Sequence, residues 1–256
     1  MRIARIVLAV FSPTESGLTV GKTLAEEFRC PYVIVNLTDP GLPVSMALSS
    51  EEMLIAVLPC SGGELPEIGL RRLMHITGNG SPAVAAVTFG GRNTGNSVPV
   101  LSDVLLSCGF VPIAAAEAVC AHEAIPGFGA GRPNIADIGV LRSFAMRVRS
   151  KLRVLARPED GMISVPPVRA EETERLRLPR PTLNGNCAHC GTCVKRCPVQ
   201  AIDEKDPSVI RTQTCIRCMR CVYVCPEHAR SVPTVYAAML ARLLKAEGEG
   251  EYRFVI

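Results

Sequence analysis

Eight cysteines toward the C-terminal end of the chain are the residues whose type and spacing best suit chemistry. They form two runs, CAHCGTCVKRCP at 187–198 and CIRCMRCVYVCP at 215–226, and each run reads C-x₂-C-x₂-C-x₃-C-P. Every cysteine of the first run has a counterpart 28 residues later, so the segment is an internal duplication. The other four of the 12 cysteines are scattered, which argues against a disulfide framework and favours a reducing compartment.

This spacing predicts two [4Fe–4S] clusters. A cubane cluster has four irons that each bind one thiolate, so three closely spaced cysteines can surround one cube while the fourth, before proline, leads toward the other. Zinc would favour cysteine pairs separated by a longer gap. We therefore expect crossed ligation. One cluster would bind Cys187, Cys190, Cys193 and Cys225, and the other Cys215, Cys218, Cys221 and Cys197.

A second candidate site follows the first predicted strand, in the stretch FSPTESGLTVGKT at 11–23. Its end resembles an ATP-binding P-loop, but the glycine that such a loop needs at position 16 is Ser16, and no strand ending in a magnesium-binding Asp is evident. Hydroxyl and amide donors at a helix N-terminus instead favour a flavodoxin-type phosphate loop. The predicted phosphate contacts are Ser12, Thr14, Ser16, Gly17 and Thr19.

Two glycine-rich loops are predicted at the same edge of the sheet, where backbone amides could closely approach a flavin ring. The predicted ring contacts are Pro59, Cys60, Ser61, Gly62, Gly63, Phe89, Gly90, Gly91 and Arg92. His122, after the fifth strand, is either a turn residue or a proton donor to the flavin. Because no G-x-G-x-x-G element is present, we expect FMN rather than FAD.

The elements that must position these residues alternate over 1–157. The predicted strands, at 4–11, 32–37, 53–58, 83–89 and 110–119, are near-continuous apolar runs. They predict a flavodoxin-like α/β domain with a doubly wound parallel five-stranded sheet in the order 2-1-3-4-5. Helices are predicted at 19–28, 66–77, 96–108 and 135–157, with a weak one at 40–50.

The C-terminal part is predicted to contain a linker, a second domain and a tail. Residues 158–183 are rich in proline and charge and are expected to form a linker or an extended arm along the first domain. A small α+β ferredoxin domain of the bacterial 2[4Fe–4S] type is expected over 184–232. Over 233–256 we expect a helix and a tail that either adds an edge strand or packs down.

Composition limits the partners that we expect. The chain has 256 residues, 48% of them hydrophobic, so it can bury a substantial core. A net charge of +4 is too weak to indicate nucleic acid, and there is no apolar run of about 18 residues for a membrane span. The apolar N-terminal stretch is expected to be a buried strand rather than a signal peptide. We therefore expect a cytoplasmic protein.

The chain resembles the EFR1-type ferredoxins, a family of anaerobe and archaeal proteins with a flavodoxin-like N-terminal half and a two-cluster C-terminal half. The resemblance rests on the cysteine runs and on weaker motifs in the same order. These motifs are FSPT at 11–14, NLTDP at 36–40, GGELP at 62–66, FGGR at 89–92, and His122 followed nine residues later by Gly131-Arg132-Pro133. The family pattern in the first loop is Ser-Pro-Thr-Gly-x-Thr, whereas this chain inserts Glu15 and Ser16 before Gly17. A carboxylate beside a phosphate would repel it.

These observations favour an iron–sulfur flavoprotein that passes electrons between two [4Fe–4S] clusters and an FMN. It would act as a carrier or as the reducing component for a redox partner protein, and a homodimer is one oligomeric state to test. A first alternative is a reductase acting on its own small substrate at the flavin. A second is a flavin-free ferredoxin whose first domain is only a partner-binding scaffold.

Overall fold

A computed structural model of the chain describes residues 1–41, 45–91, 93–125, 127–168, 178–247 and 250–256. The strands are β1 (Arg5–Val10), β2 (Tyr32–Asn36), β3 (Met46–Leu48), β4 (Glu52–Pro59), β5 (Ile76–Gly78), β6 (Ser81–Phe89), β7 (Phe110–Val119), β8 (Thr182–Leu183), β9 (Arg230–Ser231) and β10 (Arg253–Val255). The helices are α1 (Ser16–Glu26), α2 (Glu67–Leu73), α3 (Ser97–Ser107), α4 (Ile135–Val154), α5 (Thr192–Lys195), α6 (Arg220–Tyr223) and α7 (Thr234–Glu247).

The central sheet has the predicted flavodoxin-like order. Its parallel strands run β2-β1-β4-β6-β7, which is 2-1-3-4-5 when only these five strands are numbered. The prediction of five strands falls short by one, because β10 pairs antiparallel with β7 and makes the sheet six-stranded. The tail therefore adds an edge strand, and the ring of Phe254 stacks on that of Phe144 at 4.6 Å.

Helices cover both faces of the sheet, which explains why its central strands are apolar along their whole length. On one face α1 and α4 pack over the sheet, for example through Leu24 and Phe144. On the other face α2 and α3 contribute Leu73 and Leu101. Helix α4 begins with a capping box in which Asn134 accepts from the amide of Asp137 and the Asp137 carboxylate accepts from the amide of Asn134.

Two segments differ from the predictions or decide between them. The weakly indicated helix at 40–50 is absent from its described part, where β3 pairs parallel with β5 instead; residues 42–44 lie outside the described residues. The segment after α4 forms a short 3₁₀ helix, Pro158–Gly161, and the amide of Ile163 then donates to the carbonyl of Pro112 at 2.9 Å. This part of 158–183 is an arm along the first domain, and residues 169–177 lie outside the described residues.

The cysteine-rich domain docks against the N-terminal domain beside the loop that follows β7. It contains the β8–β9 pair and the one-turn helices α5 and α6. Met219 and Leu240 of the C-terminal part share an apolar cluster with Ala124 and Phe128 of that loop. Among the helices that the structure describes, none is both long and apolar enough to cross a membrane.

Candidate functional site

The duplication of the cysteine runs is repeated in the backbone. Positions 28 residues apart share left-handed φ angles, which non-glycine residues rarely adopt. The pairs are His189 and Arg217 (52° and 57°), Gly191 and Met219 (72° and 57°), and Gln200 and His228 (50° and 48°). The one-turn helices α5 and α6 have the same offset. The two halves of the domain therefore fold alike, and each presents its cysteines in the same way.

Two small cavities lie inside this domain, each of about 20 Å³ and each bordered by four cysteines. The first is bordered by Cys187, Cys190, Cys193 and Cys225. The second is bordered by Cys197, Cys215, Cys218 and Cys221. We call them the outer and the inner cluster site. The structure thus groups the cysteines in the crossed arrangement, while iron ligation itself stays a prediction.

The donor sets of both cluster sites fit an iron–sulfur cluster. The amide of Ala201 donates to Cys197 Sγ at 3.3 Å, and that of Ala229 donates to Cys225 Sγ at the same distance. Such N–H···S hydrogen bonds favour the thiolate and help to set the potential of a cluster. In the described residues, no group of three or more His, Cys, Asp or Glu side chains converges as the ligands of a single metal ion would.

The two cluster sites differ in their surroundings. Cys190 of the outer site is exposed, whereas Cys197 of the inner site is buried. The inner site lies at the contact between the domains, where the guanidinium of Arg220 donates to the carbonyl of Pro13 at 2.9 Å. A second arginine, Arg72, donates across the same contact to the carbonyl of Pro198 at 2.7 Å.

A cavity of about 630 Å³ lies between the two domains. One side is formed by the loops that follow the parallel strands of the N-terminal sheet. The other is formed by the start of the second cysteine run and by residues that precede β8 and that run. The residues on this second side are Leu178, Arg180, Thr212, Gln213, Cys215, Ile216, Arg217 and Cys218. We call this space the interdomain cavity. It lies at the carboxyl ends of parallel strands, where open α/β sheets bind ligands.

The predicted phosphate loop forms one end of this cavity. Ser12, Thr14, Ser16 and Gly17 all border it. The amide of Leu18 donates to Ser12 Oγ at 3.1 Å. The amides of Ser16 and Gly17 have no intrahelical acceptor, because they lie in the first turn of α1. A Cβ at Gly17 would lie 3.2 Å from Ser12 Oγ, so glycine allows the loop to close tightly. This arrangement fits a bound phosphate.

Glu15 does not face the phosphate loop's cavity, so the expected repulsion is not what the structure shows. It adopts a left-handed φ of 66° immediately before α1 and is absent from the cavity wall. Its Oε1 lies 3.4 Å from Nη1 of Arg220, and its Oε2 accepts from the hydroxyl of Tyr223 at 3.2 Å. The inserted carboxylate therefore contacts the cysteine-rich domain.

The two glycine-rich loops meet at the cavity through part of their predicted residues. Those on the wall are Pro59, Ser61, Gly62, Phe89 and Gly90. Gly90 is required for close packing, because a Cβ there would lie 2.4 Å from the Cα of His122. The neighbouring Thr88 also lies on the wall, and the sequence prediction did not include it.

Other predicted contacts are not on the cavity wall. These are Thr19, Cys60, Gly63 and Gly91, and Arg92 lies outside the described residues. The hydroxyl of Thr19 is exposed and donates to the carbonyl of Glu15 at 3.4 Å. The Cys60 thiol is buried and donates to the carbonyl of Thr94 at 3.5 Å, and burial raises its pKa to about 11. Both side chains serve local structure instead.

The structure places His122 in a turn, and its role as a proton donor to a flavin stays a prediction. Its Nδ1 accepts from the amide of Ala124 at 3.1 Å, and its ring packs edge-on against Phe128 with centroids 6.3 Å apart. Burial lowers the pKa of His122 to about 4, so the ring is neutral. It does not border the interdomain cavity.

The residue after it, Glu123, was missed by the sequence analysis. It borders the cavity, on a wall that also includes Ser61. Burial raises the pKa of Glu123 to about 7, so this group can gain or lose a proton near neutral pH. No spacing in the sequence singles it out, because it reaches the site only through the turn that His122 stabilises.

A comparison with known protein families concerns the cysteine-rich part of the chain. The family model described as a 4Fe–4S dicluster domain matches residues 183–226. No curated protein matches the chain. Similar solved structures include rubredoxin:oxygen oxidoreductase from the anaerobe Desulfovibrio gigas, with 18% identity and a TM-score of 0.38 over 59% of this chain. The chain spans only 37% of the length of that protein.

Two flavodoxins are also similar over the N-terminal part. The flavodoxin of Streptococcus pneumonia TIGR4 has 18% identity and a TM-score of 0.36, over 58% of this chain and 99% of its own. An archaeal flavodoxin has 10% identity and a TM-score of 0.37, over 58% and 98%. The N-terminal sheet is assigned a flavodoxin-like fold from its strand order. The chain thus combines a flavodoxin-like N-terminal domain with a C-terminal segment that matches a 4Fe–4S dicluster domain.

Proposed function

We propose that the protein carries electrons from a donor protein through two [4Fe–4S] clusters to an FMN in the interdomain cavity. The observation that carries the proposal is the composition of the cavity wall. The phosphate loop, with Thr14 and Gly17, lies at one side, and Cys215 and Cys218 of the inner cluster site lie at the other. A cofactor held in this cavity would be in direct reach of the inner cluster.

FMN fits the cavity in size and in chemistry. A volume of about 630 Å³ lies within the range of about 300–1,000 Å³ typical of cofactor sites. The amides of Ser16 and Gly17 and the hydroxyl of Thr14 would hold the phosphate, and the loops at Gly62 and Gly90 would border the ring. When bound, FMN would accept single electrons from the clusters and deliver them singly or in pairs.

The difference between the cluster sites gives the path a direction. The outer site is reachable from solvent at Cys190, so a donor protein would dock there. The inner site shares Cys215 and Cys218 with the wall of the cavity, whereas no residue of the outer site borders the cavity. Glu123 is suited to exchange the proton that accompanies flavin reduction, because it borders the cavity and burial raises its pKa to about 7.

The first test is the content of anaerobically purified protein. We expect about eight iron atoms per chain, as two cubane clusters require, and flavin that chromatography identifies as FMN after acid release. Finding FAD would overturn the choice of FMN. Protein that has full iron but takes up no flavin on anaerobic reconstitution would support the flavin-free scaffold instead.

The second test is the order of electron transfer. After rapid mixing of FMN-loaded protein with dithionite, cluster absorbance should bleach before the flavin is reduced. Cys218→Ser, at the inner site, should slow flavin reduction and leave FMN bound, and Cys190→Ser, at the outer site, is the matched variant. Flavin reduction at the wild-type rate in Cys218→Ser would contradict the proposed path.

The second candidate function is a reductase that acts on its own small substrate. Steady-state turnover with small acceptors would identify it, and the position of Glu123 on the cavity wall favours it.

A further inference from the structure

Two arginines on the cysteine-domain side of the interdomain cavity have no role in the path described above. Arg180, two residues before β8, and Arg217, inside the second cysteine run, both border the cavity. Both side chains are half-buried. Among the described residues neither guanidinium is in an ion pair, whereas Arg220, three residues further along than Arg217, is paired with Glu15.

The carboxylates around the cavity do not satisfy these two arginines. Glu67 borders the cavity, but it is paired with Arg71 at 2.6 Å. Glu123 also borders the cavity but is in no ion pair among the described residues, and Glu64 already interacts with another group. No side-chain carboxylate of the described residues therefore pairs with either guanidinium, and an anion in the cavity could accept charge-assisted hydrogen bonds from them.

We propose that Arg180 and Arg217 form a binding site for a small organic acid, separate from the phosphate loop and next to the position proposed for FMN. The planar fork of a guanidinium matches a carboxylate with paired hydrogen bonds, which favours a carboxylate as the ligand. The phosphate of FMN is the other source of an oxyanion. The phosphate loop already supplies donors for it at the other wall, at Thr14 and Gly17. The proposal rests on FMN occupying that loop. The small organic acid would be a second ligand of the cavity, in addition to FMN.

The experiment uses oxidised, FMN-loaded protein with intact clusters, so that no turnover occurs. Succinate, benzoate and inorganic phosphate are titrated by calorimetry, and the flavin spectrum is recorded in parallel. We expect succinate or benzoate to bind and to perturb the flavin spectrum. Arg180→Gln and Arg217→Gln should each weaken this binding at least about tenfold, since each removes a charged hydrogen-bonding partner. Arg153→Gln, an exposed charge on α4, is the control and should bind like the wild type.

A second measurement separates the two sources of the oxyanion. The affinities of the flavin-free protein for FMN and riboflavin are compared, with cluster content checked by iron analysis because Arg217 lies between two cluster ligands. If the arginines hold an organic acid, both variants should keep the wild-type preference for FMN over riboflavin. Loss of that preference would assign the arginines to the FMN phosphate and overturn the proposal. Failure of both carboxylates to bind FMN-loaded protein would overturn it as well, whereas protein that never takes up FMN would refute the proposed function instead.

Discussion

Nη1 of Arg220 lies 3.4 Å from Oε1 of Glu15, so a residue of the second cysteine run contacts the residue that precedes the first turn of α1. The same Nη1 donates to the carbonyl of Pro13 at 2.9 Å. Arg220 is buried, and it adjoins the cluster ligand Cys221 in sequence. The contact therefore joins the inner cluster site to the phosphate loop. One of its two partners, Glu15, is a residue that the pattern of the EFR1-type ferredoxins lacks.

The orientation of Glu15 predicts how its neutral variant behaves. If the carboxylate repelled the FMN phosphate, Glu15→Gln would raise the affinity for FMN by tenfold or more, about 1.4 kcal/mol. Because the carboxylate faces Arg220, we expect the affinity to stay within about twofold of the wild type. Fluorescence titration of the flavin-free protein measures this. Because Glu15 is half-exposed, its ion pair with the buried Arg220 should contribute only about 0.2–1 kcal/mol to stability.

Thr14 and Thr19 form a matched pair for testing the phosphate loop. Thr14 borders the interdomain cavity, whereas Thr19 is exposed and its hydroxyl donates to the carbonyl of Glu15. Thr14→Ala should weaken FMN binding by about 1–3 kcal/mol, because the charged phosphate loses a hydrogen bond from the Thr14 hydroxyl. Thr19→Ala should leave the dissociation constant unchanged. Equal effects from the two variants would place the phosphate elsewhere.

The raised pKa of Glu123 predicts that the free energy of unfolding falls as the pH rises. Burial raises its pKa from an ordinary value of 4.5 to about 7, so the folded state favours the protonated carboxyl. The stability that this gives is fully present below about pH 4.5 and is lost as the pH rises through 7. The nearby thiols of Cys60 and Cys120 stay neutral in this window, since burial raises their pKa values to about 11 and 12.

Glu123→Gln removes this titration and should flatten the pH dependence. The difference in melting temperature between variant and wild type should become more positive from pH 5 to pH 8. About 2–4 °C is expected for each kcal/mol recovered in a chain of this size. Iron content is matched between samples, and Glu64→Gln serves as a second cavity-wall variant. A difference that does not change with pH would show that Glu123 is ionised in the folded protein throughout this range.

Sequence reasoning succeeded where chemistry is encoded locally and failed where the fold brings distant residues together. The cysteine grouping follows from spacings of two and three residues and from a 28-residue repeat. The strand order follows from apolar runs that need cover on both faces. The predicted flavin contacts that miss the cavity, such as Thr19 and Cys60, lie one or two positions from residues that reach it. The sequence predicts where a loop lies but not its backbone dihedral angles, which determine the side chains that face the cavity.

The residues that were missed belong to the contact between the domains. Arg180 and Leu178 reach the interdomain cavity only because the arm leads into a docked cysteine-rich domain. The antiparallel pairing of β10 with β7 likewise joins the last residues of the chain to the first domain. No local pattern encodes such contacts, because each depends on the packing of separately folded parts.

The last prediction concerns the crossed ligation of the clusters. Cys197 belongs to the first run in sequence but borders the inner site with Cys218 and Cys221, whereas Cys225 borders the outer site with Cys190. Cys197→Ser should therefore damage the inner cluster and Cys225→Ser the outer one. The reason is geometric, because the third cysteine of each run lies in a one-turn helix that leads the chain to the fourth cysteine at the other site.

Paramagnetic resonance of the reduced protein distinguishes the two clusters. Cys218→Ser and Cys190→Ser provide the reference spectra for damage to the inner and the outer cluster. We expect Cys197→Ser to match Cys218→Ser and Cys225→Ser to match Cys190→Ser. Flavin reduction gives an independent readout, since only damage to the inner cluster interrupts the last step before the cavity. If Cys197→Ser instead matches Cys190→Ser, each run closes its own cluster and the interlocked arrangement of the two sites is wrong.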